Sequence, residues 1–345
     1  MAKLLREGLR TGIWSEWLPG ERSLCARLHV SRPTVRAALN ELRREGLIEV
    51  AHGRRSRIVR RQSASRRRAG SKVVCMLSPV PLAAVRPFVI FLVDEIRQHL
   101  AEAGCRLEVE ASSRFYTQRP YKALESLIHE KSAACWVLFL ATFQMQAWFA
   151  DRGLPVVVDG SLHLGIHLPS VDLDYRAACR HAGGTLLAKG HRHIALLIEN
   201  IRRAGDEESK TGFLESAQAM PGVSPQLTLA EHNGTVPAIC AKVDTLLRLA
   251  SPPTAFLVAN SAHVLTVIGH LLRNQIRLPD NLALISRDDD PFLNYIVPTV
   301  ARYSCSPVHF AGKVSRLILQ LARGETVPHK RVLLMPNLIK GETLG

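Results

Sequence analysis

VSRPTVRAALNELRREG, residues 30–46, is the stretch on which the reading of this chain turns. Ser31 can accept a hydrogen bond from the free amides that open a helix, and Pro33 falls in the first turn, where a missing N–H costs nothing. Val35, Ala38, Leu39 and Leu42 then recur at helical spacing and form one apolar stripe. At about 100° per residue, Arg32, Arg36 and Arg43 fall within roughly 40° of one another beside that stripe. Gly46 ends the helix as a left-handed cap would. A short helix that buries one side and offers an arginine row on the next is suited to a groove, and a DNA groove is the expectation.

Working outward, residues 2–11 read as an amphipathic helix with Leu4, Leu5 and Leu9 inward and Gly12 as its stop. Trp14 and Trp17 are expected to pack the join to the next element. Leu18-Pro19-Gly20 forms a turn, followed by a helix over about 21–28 with Leu24, Cys25 and Leu28 apolar. After Gly46, residues 47–50 and 56–59 are strand-like, and Gly53 between them permits a tight turn. Three helices followed by a two-stranded wing make a winged helix-turn-helix.

The run LPGERSLCARLHVSRPTVRAALNELRREGLIEVAHGRR resembles the DNA-binding domain of the GntR family, whose pattern is close to LPSERxLAxxLGVSRxTVRxAL followed by EGLI and a Gly-containing wing. The resemblance implies DNA contacts by Arg22, Arg32 and Arg36, with Ser31 opening the recognition helix and Thr34 on a phosphate or base edge. It places a minor-groove wing tip at His52 and Gly53, with the basic Arg54 beside them. Gly20 stands where the family usually has Ser, and His29 where it usually has Gly. The physical chemistry agrees: an arginine fork can pair with guanine O6 and N7, worth about 1–3 kcal/mol of discrimination. Other Arg and Thr side chains set register on phosphates.

The charge distribution points the same way. The 345 residues carry a net charge of +15. Residues 1–72 hold 18 Lys/Arg against 6 Asp/Glu, whereas the remaining 273 hold 27 against 24. The basicity thus belongs to the N-terminal fifth, and no apolar face accompanies it there, so a polyanion is expected rather than a membrane surface. Seven dispersed cysteines, with no CxxC pair, argue against a disulfide framework or a zinc ribbon and read as buried free thiols. The N-terminus lacks a secretory signal, and no run approaches the roughly 20 apolar residues of a membrane span. A cytoplasmic protein is expected.

Residues 60–72, RRQSASRRRAGSK, read as a charged linker that either tracks the DNA backbone or only solubilises the join. From Val73 the texture changes to strand-like runs alternating with helical stretches. Runs at 73–77, 106–110, 134–140 and 155–159 alternate with helical stretches at 87–104, 121–131 and 145–153. A second set follows, with strands at 194–198, 225–229, 254–258 and 282–286 and helices over 175–189, 209–219, 237–249 and 262–274. That rhythm is a parallel sheet covered on both faces, repeated, hence two lobes around a cleft. The fold class is α/β: a winged helix-turn-helix (1–60), a basic linker (61–72) and a two-lobed domain of doubly wound parallel sheets (73–345).

The second part resembles the effector domain of the LacI/GalR family, a periplasmic-binding-protein-like fold. VDLDYRAACRHAGGTLLAKGHRHIALL (171–197), TGF (211–213), PPTAFLVANS (252–261) and RLPDNLALISRDDDP (277–291) follow that family's signatures in order, as do PTVARY (298–303) and VLLMPNLIKGET (332–343). The resemblance implies a first lobe of about 73–160 with a return near 300–325, and a second of about 161–298 with the C-terminal strand. It implies dimerisation through this domain and a sugar or purine held by Asn260 and Asp288. The position of the family's ligand-binding arginine is occupied by Ser209, Ser261 replaces the Asp after Asn260, and Arg287 replaces the aromatic before Asp288. Arg86, after the first strand, and Asp159, at the crossover, are further candidates.

Asp288-Asp289-Asp290 reads as a loop or a sugar contact rather than a metal site, because consecutive carboxylates point in different directions. His191 and His193, in GHRHIA, read as structural at a helix-to-strand turn, and Asn260 could be only a turn residue. No metal and no cofactor is expected. The pairing resembles arabinose-responsive repressors: a homodimer on a palindromic operator in double-stranded DNA, released by a small effector, most readily a monosaccharide. Two other classes stay open: a constitutive regulator with a degenerate sensor, and an enzyme fused to a GntR domain.

Overall fold

Helix α1 spans Glu21–Leu28 and α2 spans Arg32–Arg44 in the computed structural model. It describes residues 1, 2, 4, 5, 14, 17–28, 30–44, 47–49, 56–58, 72–201, 203–219, 222, 224–327 and 330–345. The chain divides into two compact units, Met1–Gly70 and Ser71–Gly345. In the first, the predicted stripe is the core: Val35, Ala38, Leu39 and Leu42 of α2 meet Leu24 of α1 together with Leu5, Leu18 and Ile48. Each fully buried Leu or Val contributes about 1.5–3 kcal/mol relative to exposure, so this face holds the small unit together. Strands β1 (Ile48–Glu49) and β2 (Arg57–Ile58) pair antiparallel, Ile48 opposite Ile58, as the two-stranded reading requires. The Leu18 amide donates to the Ser56 carbonyl at 2.9 Å, tying this hairpin to the turn before α1.

Two expectations fail here. Leu4 is 59% exposed, so only Leu5 of that pair points inward, and Trp17 is 45% exposed, leaving Trp14 to pack against the core. Leu9, Gly12, Gly46, the wing tip at 51–55 and the linker at 60–71 lie outside the described residues.

The second unit is built on period-2 alternation. In β3 (Val73–Ser78), Val74 and Met76 enter one core cluster and Cys75 and Leu77 the opposite one, so both faces of the sheet are covered. The first sheet has the order β13-β7-β6-β5-β3-β4, every pairing parallel, with β4 Arg106–Ala111, β5 Cys135–Phe139, β6 Val156–Asp159, β7 Ser170–Leu173 and β13 Arg331–Leu334. Helices α3 (Pro87–Glu102), α4 (Tyr121–Glu130) and α5 (Phe143–Arg152) arise within this lobe. The second sheet has the order β14-β12-β11-β10-β8-β9, with β8 His193–Glu199, β9 Gln226–His232, β10 Ala255–Val258, β11 Ala283–Ser286, β12 Ala301–Ser304 and β14 Asn337–Ile339. Only the β12–β14 pair is antiparallel. Around it lie α6 (Tyr175–Ala188), α7 (Ala204–Glu215), α8 (Val236–Leu247) and α9 (Ser261–Arg273). Helix α10 (Pro307–Ala322) returns to the first lobe, where Phe310, Val314 and Ile318 join its core.

The lobe boundaries differ from the sequence expectation. β7 was not foreseen as a strand and belongs to the first sheet, because Val171 and Leu173 bury in the first lobe's core. The 301–304 strand belongs to the second sheet, with Ala301 and Tyr303 in its core, so the return begins after it. The final stretch divides between the sheets, β13 pairing with β7 and β14 with β12. Consequently the chain crosses between lobes three times: after β7, after β12 and after β13. Helix α7 begins at Ala204 rather than 209. Its first turn, with Asp206 and Glu207, carries no apolar stripe to read but suits the positive end of a helix dipole. Glycine fixes its seat, since a Cβ at Gly212 would lie 2.0 Å from the Arg176 carbonyl of α6.

All seven cysteines are free, but only Cys75, Cys135 and Cys179 are buried; the other four are half-buried. No helix among the described residues is long and apolar enough to cross a membrane.

Candidate functional site

In the first unit, Arg22, Ser31, Arg32, Thr34 and Arg36 are all exposed, while the other side of α2 is buried. The Ser31 hydroxyl lies 2.8 Å from the Thr34 hydroxyl, closing the entry to the helix. Arg36 Nε donates to both oxygens of Glu21, at 3.1 and 3.0 Å, and so links α2 to the start of α1. With Arg36 66% and Glu21 37% exposed, this ion pair is worth at most about 1 kcal/mol and a phosphate or guanine could displace it. His52, Gly53 and Arg54 lie outside the described residues.

In the second unit, a cavity of about 690 Å³ opens at the carboxyl ends of both sheets. Strand ends put polar groups there because a parallel strand stops where its next residues turn toward the following helix. Arg86, the N-cap of α3, lies on the first lobe's rim, and Asp159 ends β6. Asn260 follows β10, and Asp288 follows β11. These four candidates share the cavity wall. Ser209 does not: it is fully buried in α7, donating to the Gly205 carbonyl at 2.8 Å and accepting from Arg287 at 2.8 Å.

Arg287 is the organising group of the cleft. Its Nη1 also donates to Asp206 at 2.9 Å, its Nε and Nη2 approach Asp288 at 3.3 Å, and its guanidinium lies 4.4 Å from the centre of the Tyr175 ring. Two departures from the family pattern thus prove to be neighbours, since the small Ser209 leaves space that the Arg287 guanidinium fills. Arg86 Nη1 adds an ion pair to Asp288 at 3.0 Å and stands 3.6 Å from Asp290. Asp290 in turn accepts from the Phe88 amide at 2.8 Å. These contacts join the lobes. Burial pushes Asp288 up, but Arg287 and Arg86 outweigh it and hold the carboxylate below its ordinary value.

Asn260 uses its side-chain oxygen to cap α9, accepting from the Ala262 amide at 2.9 Å, so its amide nitrogen is the group left for another partner. Asp159 and Asp172 differ from Asp288 in the direction of their shift. Burial, then the neighbouring Asp172, pushes Asp159 up to about 8. Asp172 is raised to about 6 by burial, against the Ser161 hydroxyl and the Leu173 amide that bond it. Asp172, Tyr175 and Asp206 were not singled out from the sequence. Asp172 stands in the VDLD run, but nothing local marks it as a neighbour of Asp159 in the cavity wall.

His193 is structural, as expected: its Nδ1 is 2.7 Å from the Ser251 carbonyl and its Nε2 2.9 Å from the Thr228 hydroxyl. Asp289 pairs with Arg302 at 2.7 Å and points away from Asp288, in line with the divergence expected of consecutive carboxylates.

Residues 2–58 match the bacterial regulatory proteins of the gntR family, and residues 184–344 match the periplasmic binding protein-like domain. The two matches fall one in each compact unit. It is 23% identical over 287 residues to the arabinose metabolism transcriptional repressor of Geobacillus stearothermophilus, covering 80% of this chain and 77% of that one. It is 25% identical over 189 residues to catabolite control protein A of Priestia megaterium, covering 54% of this chain and only 56% of the relative. A periplasmic binding protein/LacI transcriptional regulator from Alkaliphilus metalliredigens, solved with D-xylulofuranose, superposes with a TM-score of 0.67 at 17% identity, covering 79% of this chain and 99% of that chain. Two of these three proteins are named as a transcriptional repressor or regulator.

Proposed function

We propose that the chain is a transcription regulator that binds an operator through α2 and the wing and leaves it when a small sugar enters the cleft. The observation that carries this reading is one chain holding both an exposed arginine row on a helix buried on its other side and a strand-end cavity faced with amide, carboxyl and guanidinium groups. In it, Arg22, Arg32 and Arg36 pair with bases or phosphates, Ser31 and Thr34 set the entry of the helix, and His52, Gly53 and Arg54 form the wing tip. Asn260, Asp159 and Arg86 contact the effector, Asp288 orients the two guanidinium groups, and Ser209 positions Arg287.

The reading includes a cytoplasmic homodimer on a palindromic site, with residues 1–60 as the DNA module, 61–72 as linker and the remainder as effector and dimerisation module. Effector closure would alter the dimer interface and the spacing of the two DNA modules. The arabinose repressor and the xylulofuranose complex among the relatives support a sugar.

The test is selection of bound DNA from a random pool, followed by binding in moderate salt. Arg32→Ala and Arg36→Ala are each expected to lose about 1–3 kcal/mol of specific affinity. Parent-like binding by both variants would remove α2 as the recognition helix. A second reading, a constitutive regulator, draws on Asp288 being already held by Arg86 and Arg287. Monosaccharide titration of the operator complex separates the two, since only the first predicts release.

A further inference from the structure

The acids in the cleft wall divide sharply by partner. Asp206 has Arg287 at 2.9 Å, Asp288 has Arg86 at 3.0 Å, and Glu199 has His263 at 3.3 Å. Asp159 has none. It is 4% exposed, and its Oδ2 is buried with no hydrogen-bond partner among the described residues. Its charged neighbour is another acid, Asp172, on the adjacent strand β7; β6 and β7 pair with Asp159 opposite Val171. Arg287 and Arg331 work to lower Asp172, whereas burial and then Asp172 itself push Asp159 up. A buried carboxyl with an empty oxygen, beside a second carboxyl, is costly unless a partner arrives. Both residues face the same cavity of about 690 Å³, a size suited to a small ligand.

We propose that the effector carries a protonated amine, as an amino sugar does, seated with its nitrogen against Asp159 and Asp172. This rests on the cleft being the effector site and names the ligand class for it. Across the cleft the carboxylates are already neutralised by guanidinium groups, so the unmet demand is for a cation on the first-lobe side alone. Phe139, which ends β5 and also lines the cavity, offers an aromatic surface that an ammonium group favours over a neutral hydroxyl. The amine's hydroxyls would meet the Asn260 amide nitrogen, the donor left over from capping α9. The raised affinity of Asp159 for a proton fits a site made for positive charge: a bound ammonium would displace that proton into solvent.

The experiment is isothermal titration of the full-length protein with matched pairs: D-glucosamine and D-glucose, D-galactosamine and D-galactose, D-mannosamine and D-mannose. At least one amine is expected to bind about tenfold or more tightly than its hydroxyl counterpart, as a charge-assisted hydrogen bond would give. Its binding is expected to release protons, seen as a buffer-dependent heat. In Asp159→Asn the preference should fall to within about threefold, and Asp172→Asn should weaken it in the same direction. Equal or tighter binding by the neutral sugars, no binding by any amine, or a preference that survives both substitutions would overturn the inference. Operator release is measured in parallel. A neutral sugar that releases DNA would leave the regulatory reading standing without the amine, whereas an amine that binds without releasing DNA would do the reverse.

Discussion

Replacing Arg287 with Met removes the guanidinium but keeps most of the side chain's length. In the folded protein Arg287 is 8% exposed, Asp206 10% and Asp288 6%, so all three charges are withdrawn from water. Removing one member of such a buried pair usually costs about 3–5 kcal/mol, because the remaining carboxylate is left without compensation. Arg86 still holds Asp288 at 3.0 Å, which puts the expected loss near the lower end, about 3 kcal/mol. For the Ser71–Gly345 unit that corresponds to a fall of roughly 5–6 °C in Tm. Asp288 is held below its ordinary value of 3.8, so its stabilisation is present above that pH and is lost as pH falls through the folded value. The gap between parent and Arg287→Met should therefore be widest at neutral pH and narrow as pH falls through the acid range, where the carboxylates left behind in the variant take up protons first. Scanning calorimetry across that range measures both effects, and a cycle with Asp206→Asn measures the pairing directly. A loss under about 1 kcal/mol, or a coupling with Asp206→Asn under about 0.5 kcal/mol, would refute the view that Arg287 is held by these carboxylates.

Other outcomes follow from the same structure. Leu42→Ala, at a fully buried position in the N-terminal core, should destabilise that unit by about 2–5 kcal/mol and cost DNA binding with it, read by denaturation and operator binding together. Asp159 in its protonated form stabilises the fold fully below its ordinary value of 3.8, and that contribution is lost as pH rises toward about 8. Asp159→Asn should therefore lose less stability than the parent between pH 5 and pH 8; an identical fall in Tm for both proteins would show that this carboxyl does not carry the pH dependence.

Much of the architecture was legible in residue order alone. The stripe Val35, Ala38, Leu39 and Leu42 predicted α2 and its buried side, because a helix repeats every 3.6 residues and four apolar positions on that period leave one face to bury. The short apolar runs predicted most strands of both lobes for the same local reason. Periodicity failed where it had nothing to register: β7 reads Ser-Val-Asp-Leu, with an acid between its two apolar residues, and the first turn of α7 is Ala, Gly and acids. It also could not assign strands to sheets. Residues 301–304 and the two halves of 331–339 were placed by which core their side chains enter, a matter of contacts between segments far apart in the chain.

The site divides along the same line. Residue types and their order already made a basic recognition helix, put Asn260, Asp288 and Asp159 at strand ends and put Arg86 after the first strand, since those features depend on neighbours a few positions away. Only the folded chain brought Ser209 behind Arg287, set Arg86 of one lobe on Asp288 of the other, and left Asp159 beside Asp172 with no cation. Whether a charge is satisfied depends on which distant segments pack around it, and in this protein three crossings of the chain between the lobes make that decision.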